Sequence, residues 1–413
     1  MGNLLDASFA AHHGCTRAHE EREPYMLWLP FACLFLTALI GVLACTPLAR
    51  LIAIHFGAID FPSKRRINAR PIPRMGGIAI FVALIMASAV QFMGTTWLGW
   101  PVVLIPSALL SINYYGLALS FFVMFAIGVI DDIFSLKPAP KLVGQIIASS
   151  IAAFSGLVIG TIANPFGGAS LALGWLTYPV TIFYLVAFAN VINLIDGLDG
   201  LASGVSCISA FTMFVLAFNA GRLDAAALAI ALCGATLGFL RYNFFPASIF
   251  LGDSGSLLLG YALGVTSLLS VTRIAGLTTL IIPLVLAGIP ILDTFFAIVR
   301  RRRAHVSVAH ADAGHIHHRL MQEGYNQRQA VLVIWGWTAL LCAGALLMTQ
   351  VQLHVRIIVF LVLVALSALL AIKLKLFQPV LLHHYTSGGK DKLITPDDPH
   401  FQEEEKKQRS GGA

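Results

Sequence analysis

The chain has 413 residues, of which 58% are hydrophobic and 11% charged, with a formal net charge of +7. Soluble domains are about 25% charged, so a water-soluble multidomain enzyme is excluded, as are a disordered chain and a nucleic-acid-binding one. The apolar residues run in blocks of about 20, the length that crosses a ~30 Å hydrocarbon layer as a helix. They lack the ~10-residue apolar–polar alternation of a membrane β-barrel.

In chain order, residues 1–25 form a polar N-terminal extension of mixed charge. Eleven spans are predicted, near residues 26–47, 76–95, 112–130, 142–162, 174–193, 201–219, 224–242, 255–272, 276–299, 329–349 and 355–378. The apolar segment Trp97–Leu110 is interrupted by Pro101 and Pro106 and is expected to lie as a loop at the membrane surface. Residues 379–413 form a polar tail, expected to be mobile. The expected class is thus an all-α polytopic membrane protein whose membrane domain covers residues 26–378. The six cysteines show neither metal nor disulfide spacing and read as small buried hydrophobes.

All but five of the 27 lysines and arginines fall in the loops after odd-numbered spans or in the tail; the five are Arg17, Arg22, Arg222, Arg273 and Arg356. The positive-inside rule then puts those loops and the C-terminus in the cytoplasm and the N-terminus outside.

The acids are unevenly chosen. Between Pro24 and Gln322 there is no glutamate, although Glu is the better helix former. Every aspartate of that stretch except Asp224 falls at or near a cytoplasmic span end. Short carboxylates confined to one face suggest a rigid polar site there, since ionisable groups at membrane depth are costly unless they are paired or functional.

Four motifs carry the chemistry. Asp131-Asp132 closes the third span, where the helix dipole disfavours negative charge, so a cation or several donors must stabilise the pair; a solvated helix stop neutralised by Lys137 or Lys141 is the plainer reading. In Asn190-x-x-Asn193-x-x-Asp196-Gly197-Leu198-Asp199-Gly200, the first three polar residues recur every three positions and share a helix face. Its glycines permit a tight turn and close approach of a ligand. Phe250-Leu-Gly252-Asp253-Ser254-Gly255-Ser256 puts small residues at a helix N-terminus, suited to phosphate or a metal-bound anion. Finally, His305, His310, His315, His317 and His318 crowd one cytoplasmic loop beside Arg319. They could bind zinc, but no cysteine and no HExxH helix accompanies them. A cationic grip on a diphosphate fits better.

Carboxylates that want Mg²⁺, glycine turns and a basic loop at a membrane surface suit phosphoryl transfer between one lipid-held and one soluble phosphate reactant. A secondary transporter fits less well, because the acids collect on one face and no repeat is visible.

These four motifs, in this order, resemble the polyprenyl-phosphate N-acetylhexosamine-1-phosphate transferases over about Asp60 to Tyr325. The stretch His315-Ile-His317-His318-Arg319-Leu is similar to the bacterial branch that uses UDP-N-acetylglucosamine. The phospho-N-acetylmuramoyl-pentapeptide transferases are the runner-up, because Arg319-Leu320 stands where they carry Phe-Glu. The resemblance implies transfer of an N-acetylhexosamine 1-phosphate from a UDP-sugar to undecaprenyl phosphate with release of UMP, the first membrane step of a surface glycan such as O-antigen. It implies an inner-membrane location, a homodimer, and Mg²⁺ as cofactor with Mn²⁺ as a substitute. It implies that Asp131 deprotonates or orients the lipid phosphate with support from Asp132, and that Asp253 and Asp196 bind the metal. Asp196, counted with the catalytic aspartates, and Asn190 would hold the metal–diphosphate geometry, and Asn190 and Asn193 would help hold the nucleotide sugar; Asp199, Gly197 and Leu198 would contact uracil, with Phe250 stacked on its ring. Lys141, His315, His317, His318 and Arg319 would neutralise the diphosphate.

Overall fold

The computed structural model describes residues 25–61, 70–105, 112–162, 171–271, 288–303, 316–374 and 376. Its helices, in chain order, are α1 (Tyr25–His55), α2 (Gly77–Trp97), α3 (Tyr114–Phe134), α4 (Pro138–Phe154), α5 (Thr177–Ile195), α6 (Leu201–Asn219), α7 (Leu223–Asn243), α8 (Gly252–Val271), α9 (Gly288–Arg303), α10 (Ile316–Gln322), α11 (Gln327–Gln350) and α12 (Leu353–Lys373). Two antiparallel ribbons of two-residue strands accompany them: β1 (Ile59–Asp60) with β2 (Ile72–Pro73), and β3 (Thr161–Ile162) with β4 (Leu171–Ala172).

Among the described residues, eight segments are helical, long and apolar enough to cross a membrane: α1, α2, α3, α5, α6, α7, α11 and α12. Of the eleven expected spans, the fourth, eighth and ninth are not among these; the eighth, 255–272, corresponds to α8, whose first turn is polar. The fourth expected span, 142–162, is the shorter α4, which stops at Phe154 where Ser155 and the positive-φ Gly156 turn the chain. The ninth, 276–299, overlaps residues 272–287 and so lies partly outside the described residues. Conversely, α1 runs through Pro47 to His55, past the expected end at 47. The segment after Trp97 is not a surface loop throughout: a 3₁₀ turn at Val102–Leu104 buries Leu104, whose carbonyl accepts from the Gln91 side chain of α2.

The polar start of α8 is explained by its place. This helix packs against α2, α3, α5, α6 and α7, and Leu257, Leu258, Leu259, Tyr261 and Ala262 are fully enclosed. Its neighbours approach through glycines, as helices do where apolar lipid offers no hydrophobic drive for association. A Cβ on Gly77 of α2 would collide with the Gly255 backbone, one on Gly128 of α3 with Ser254, and one on Gly260 of α8 with the Phe188 carbonyl of α5. Deeper in the bundle, the Tyr261 hydroxyl donates to Ser120 Oγ at 2.8 Å and to the Ala148 carbonyl at 3.3 Å, linking α8 to α3 and α4.

Asp224, the one acid expected on the opposite face, is neutralised where it stands. Arg222 donates to it through Nη2 at 2.7 Å and Nε at 3.1 Å, with both residues buried at the α6–α7 corner.

Candidate active site

The C-terminal end of α3, the start of α4, the end of α5 and the start of α8 meet at one end of the bundle. Ser135, left-handed at φ 51°, caps α3 and reverses the chain. The two prolines that follow fall in the first turn of α4, where a missing N–H breaks no helical bond. Lys137 is therefore the N-cap of α4, and Lys141, one turn further on, faces back toward Asp131. This decides between the two lysines that the sequence leaves open.

Lys141 Nζ lies 2.8 Å from Asp131 Oδ2, 2.7 Å from Asp253 Oδ1 and 3.3 Å from Asn193 Oδ1. One ammonium thus bridges carboxylates brought by α3 and α8 and the amide of α5. Asn193 donates in turn to Asp253 Oδ1 and, at 2.7 Å, to Ser256 Oγ. Burial opposes the charge on both Lys141 and Asp253, but their mutual attraction outweighs it. The lysine is held above its usual range and the aspartate below its own.

Asp132, expected to support Asp131, is held by the start of α8. Its Oδ1 accepts the Asp253 backbone N–H at 2.8 Å and its Oδ2 the Ser254 N–H at 3.0 Å, and the residue is buried. These are orphan donors at the start of α8, where the dipole favours an anion. The donors that an acid at the end of α3 requires are supplied by a second helix. Gly252, at φ 71°, admits this contact, since a Cβ there would stand 2.5 Å from Asp132 Oδ2.

The loop between α1 and α2 straps the same corner. Phe250 N–H donates to the Pro73 carbonyl at 2.8 Å, and the N–H groups of Gly76 and Gly77 donate to the carbonyls of Phe250 and Leu251, each at 3.0 Å. Arg74 Nη2 reaches the Asp132 carbonyl at 3.0 Å and Ser135 Oγ at 3.1 Å, a cation at a helix C-terminus. Phe250 thus anchors the loop through its backbone, with its half-buried side chain at the edge of the cluster.

Asp196 caps α5. Burial, then the nearby charges of Asp253, Asp132 and Asp199, push its carboxyl well above the ordinary range. Asp199 accepts the Ala247 N–H at 2.9 Å and a side-chain hydrogen bond from Gln327, and so ties the turn after α5 to the loop before α8 and to α11. Leu198 is buried beneath this turn. Gly197 lies against His317: a Cβ would stand 2.6 Å from its Nε2. His317 and Arg319 are buried on α10, whose Ile316 N–H donates to Asp293 Oδ1 at 2.9 Å. His318 is the third residue of α10, and His315 falls outside the described residues.

Ser256, the last residue of the Phe250–Ser256 motif, accepts from Asn193. One participant was not singled out from sequence: Gln145 is buried and exchanges hydrogen bonds with Asn190. Gln145 is legible in retrospect as a buried amide four residues after Lys141, on the same face of an otherwise apolar helix.

The donor set is oxygen-rich and carries more negative than positive charge, as a hard divalent cation requires. Among the described residues, no three His, Cys, Asp or Glu side chains converge to hold a metal unaided. Mg²⁺ does not demand that, since it commonly takes one or two carboxylates together with substrate phosphates and water.

A bundle of apolar helices whose acids, amides and one lysine converge where four helix ends meet defines a multi-pass membrane protein with a polar site at its rim. The chain belongs to glycosyl transferase family 4. Residues 114–271, which hold the aspartate pair, Lys141, the Asn–Asp turn and Asp253, match that family. It is 34% identical over 337 residues, 82% of this chain and 90% of the relative, to a probable undecaprenyl-phosphate N-acetylglucosaminyl 1-phosphate transferase of Bacillus subtilis. It is 33% identical over 340 residues, 75% of this chain and 80% of the relative, to the decaprenyl-phosphate N-acetylglucosaminephosphotransferase of Mycolicibacterium smegmatis. A phospho-N-acetylmuramoyl-pentapeptide-transferase of Clostridium beijerinckii is 32% identical over 283 residues, 65% of this chain and 80% of the relative.

Proposed function

We propose that the protein transfers N-acetylglucosamine 1-phosphate from UDP-N-acetylglucosamine to undecaprenyl phosphate, releasing UMP, at the cytoplasmic face of a bacterial inner membrane. The observation that carries this reading is the convergence of Asp131, Lys141, Asn193 and Asp253, from four helices, at one end of a membrane bundle. The relatives named for N-acetylglucosamine phosphate transfer favour it over the pentapeptide transferase, and nothing in the fold favours a transporter.

The reaction needs an oxygen of the lipid phosphate to attack the β-phosphorus of the nucleotide sugar. The bond from that phosphorus to the bridging oxygen breaks, and UMP leaves with the electron pair. Little covalent chemistry is asked of the protein, which acts by positioning and by charge stabilisation. Asp131 is the group that orients the acceptor phosphate and takes any proton it still carries. Lys141, released from one of its two carboxylates, counters charge on the diphosphate, with His317, Arg319, His315 and His318 completing the cationic side. Mg²⁺, or Mn²⁺ in its place, would be held by Asp253 and Asp196 and would supply charge neutralisation at the diphosphate.

The test offers the purified protein undecaprenyl phosphate and Mg²⁺ with UDP-N-acetylglucosamine, UDP-N-acetylgalactosamine or UDP-N-acetylmuramoyl-pentapeptide. UMP and a lipid product are expected from the first. Release from the muramoyl substrate alone, or from none, would overturn the reading.

A further inference from the structure

The two asparagines of α5 are held by partners whose own chemistry runs one way. Lys141 can only donate, so the oxygen of Asn193 must face it; the Asp253 carboxylate accepts the Asn193 Nδ2 hydrogen. Asn190 is fixed differently. Its Nδ2 donates to the Val186 carbonyl at 2.8 Å, and a backbone carbonyl can only accept. The same nitrogen donates its other hydrogen to Gln145 Oε1, while Gln145 Nε2 reaches back to Asn190 Oδ1 at 3.4 Å. Both Asn190 amide hydrogens are thereby engaged, and Gln145 is fully enclosed between α4 and α5. What remains to Asn190 is lone-pair capacity on Oδ1.

We propose that Gln145 is a positioning residue that makes Asn190 an acceptor-only contact for the nucleotide sugar. Asn190 then meets a hydroxyl or amide N–H of the donor substrate, never a phosphate oxygen, because it has no hydrogen left to give. Gln145 itself touches no substrate. On α4 it stands one turn beyond Lys141, so one helix face orders both asparagines of α5: the lysine orders Asn193 and the glutamine orders Asn190. What is required at this position is an acceptor for the second Asn190 hydrogen; an apolar residue of equal size would free that hydrogen and let the amide turn over.

This inference rests on the proposed transferase reading. The experiment compares wild type, Gln145→Leu and Gln145→Glu in detergent, with UDP-N-acetylglucosamine binding measured directly beside turnover. Gln145→Leu is expected to raise KM and Kd for the nucleotide sugar about tenfold, with KM for undecaprenyl phosphate and the unfolding temperature unchanged. Gln145→Glu keeps the acceptor for Asn190 Nδ2 and is expected to stay within about threefold of wild type. In the Gln145→Leu background, Asn190→Ala should add little further loss, since residues acting as one unit are not additive. An unchanged KM in Gln145→Leu, equal losses in the Leu and Glu variants, or a loss tracking a fall in unfolding temperature would overturn the positioning role. A wild-type protein that neither binds nor turns over the nucleotide sugar would instead sink the transferase reading.

Discussion

The carboxylate of Asp132 accepts the backbone N–H of Asp253, the residue 121 positions later, at 2.8 Å. The second acid of the pair is therefore the cap of the helix that delivers Asp253. Loss of an N-cap acceptor costs ~0.5–2 kcal/mol. Asp132→Ala should lower stability by about that amount and abolish transfer, because Asp253 is no longer held in register. Asp253→Asn should abolish transfer with little change in thermal unfolding. Circular dichroism melts of the two variants in detergent separate these roles; equal melting losses would contradict the assignment.

Gly252 tests the same contact from the other side. An alanine there must hold φ 71° and place its Cβ 2.5 Å from Asp132 Oδ2. The left-handed conformation alone costs ~1–2 kcal/mol. Gly252→Ala should lose activity to a degree close to Asp132→Ala, and combining the two should be less than additive in a thermal melt.

Gly197 and His317 form a second interlocked pair. Gly197→Ala should displace the His317 ring and reduce nucleotide-sugar use at least tenfold, measured as kcat/KM. His317→Ala should reduce it as well, and the double variant should be no worse than the more damaged single one. Independent, multiplying losses would show that the two do not share a contact.

Arg222 and Asp224 bear on stability alone. Removing one partner of a buried ion pair typically costs ~3–5 kcal/mol, whereas replacing both by apolar groups is often neutral. Arg222→Leu should therefore unfold at markedly lower temperature, and Arg222→Leu with Asp224→Leu should recover most of the loss. A double variant as unstable as the single would refute this.

Asp199 supplies a pH test. Burial raises its carboxyl above the ordinary value, against the opposing bonds from Ala247 and Gln327. The folded form then binds its proton more tightly than the unfolded chain, so this group favours folding in acid. That advantage is lost as pH rises from the unfolded value of about 3.9 through the raised folded one. Asp199→Asn, which keeps an acceptor for the Ala247 N–H, should gain stability relative to wild type as pH rises from about 4 toward 7. A difference that shrinks over that interval would contradict the shift.

Much of the site is legible in the sequence because membrane burial makes polar residues conspicuous. Asp131, Asn193, Asp196 and Asp253 announce themselves by residue type and helix-end position, and the structure brings them to one corner. Roles were harder to read than places. Asp132 reads in sequence as half of a catalytic pair, and its hydrogen bonds to the amides that open α8 are a contact across 121 residues that no local pattern encodes. Gln145 was missed because a single amide four residues after a lysine is a weak signal beside the clustered acids and asparagines. The expected fourth span is the shorter α4, because length alone cannot tell a full span from a shorter helix followed by a ribbon.

The strap between residues 73–77 and 250–251 has a consequence for biosynthesis. The loop that precedes the second helix finds its partners at Phe250 and Leu251 only once the segment leading into the eighth has left the ribosome. Until residues 253 and 254 follow, Asp132 at the end of α3 lacks the amides that hold it. This corner is thus completed late, and a nascent chain halted before Phe250 holds one side of a clasp with nothing to fasten it.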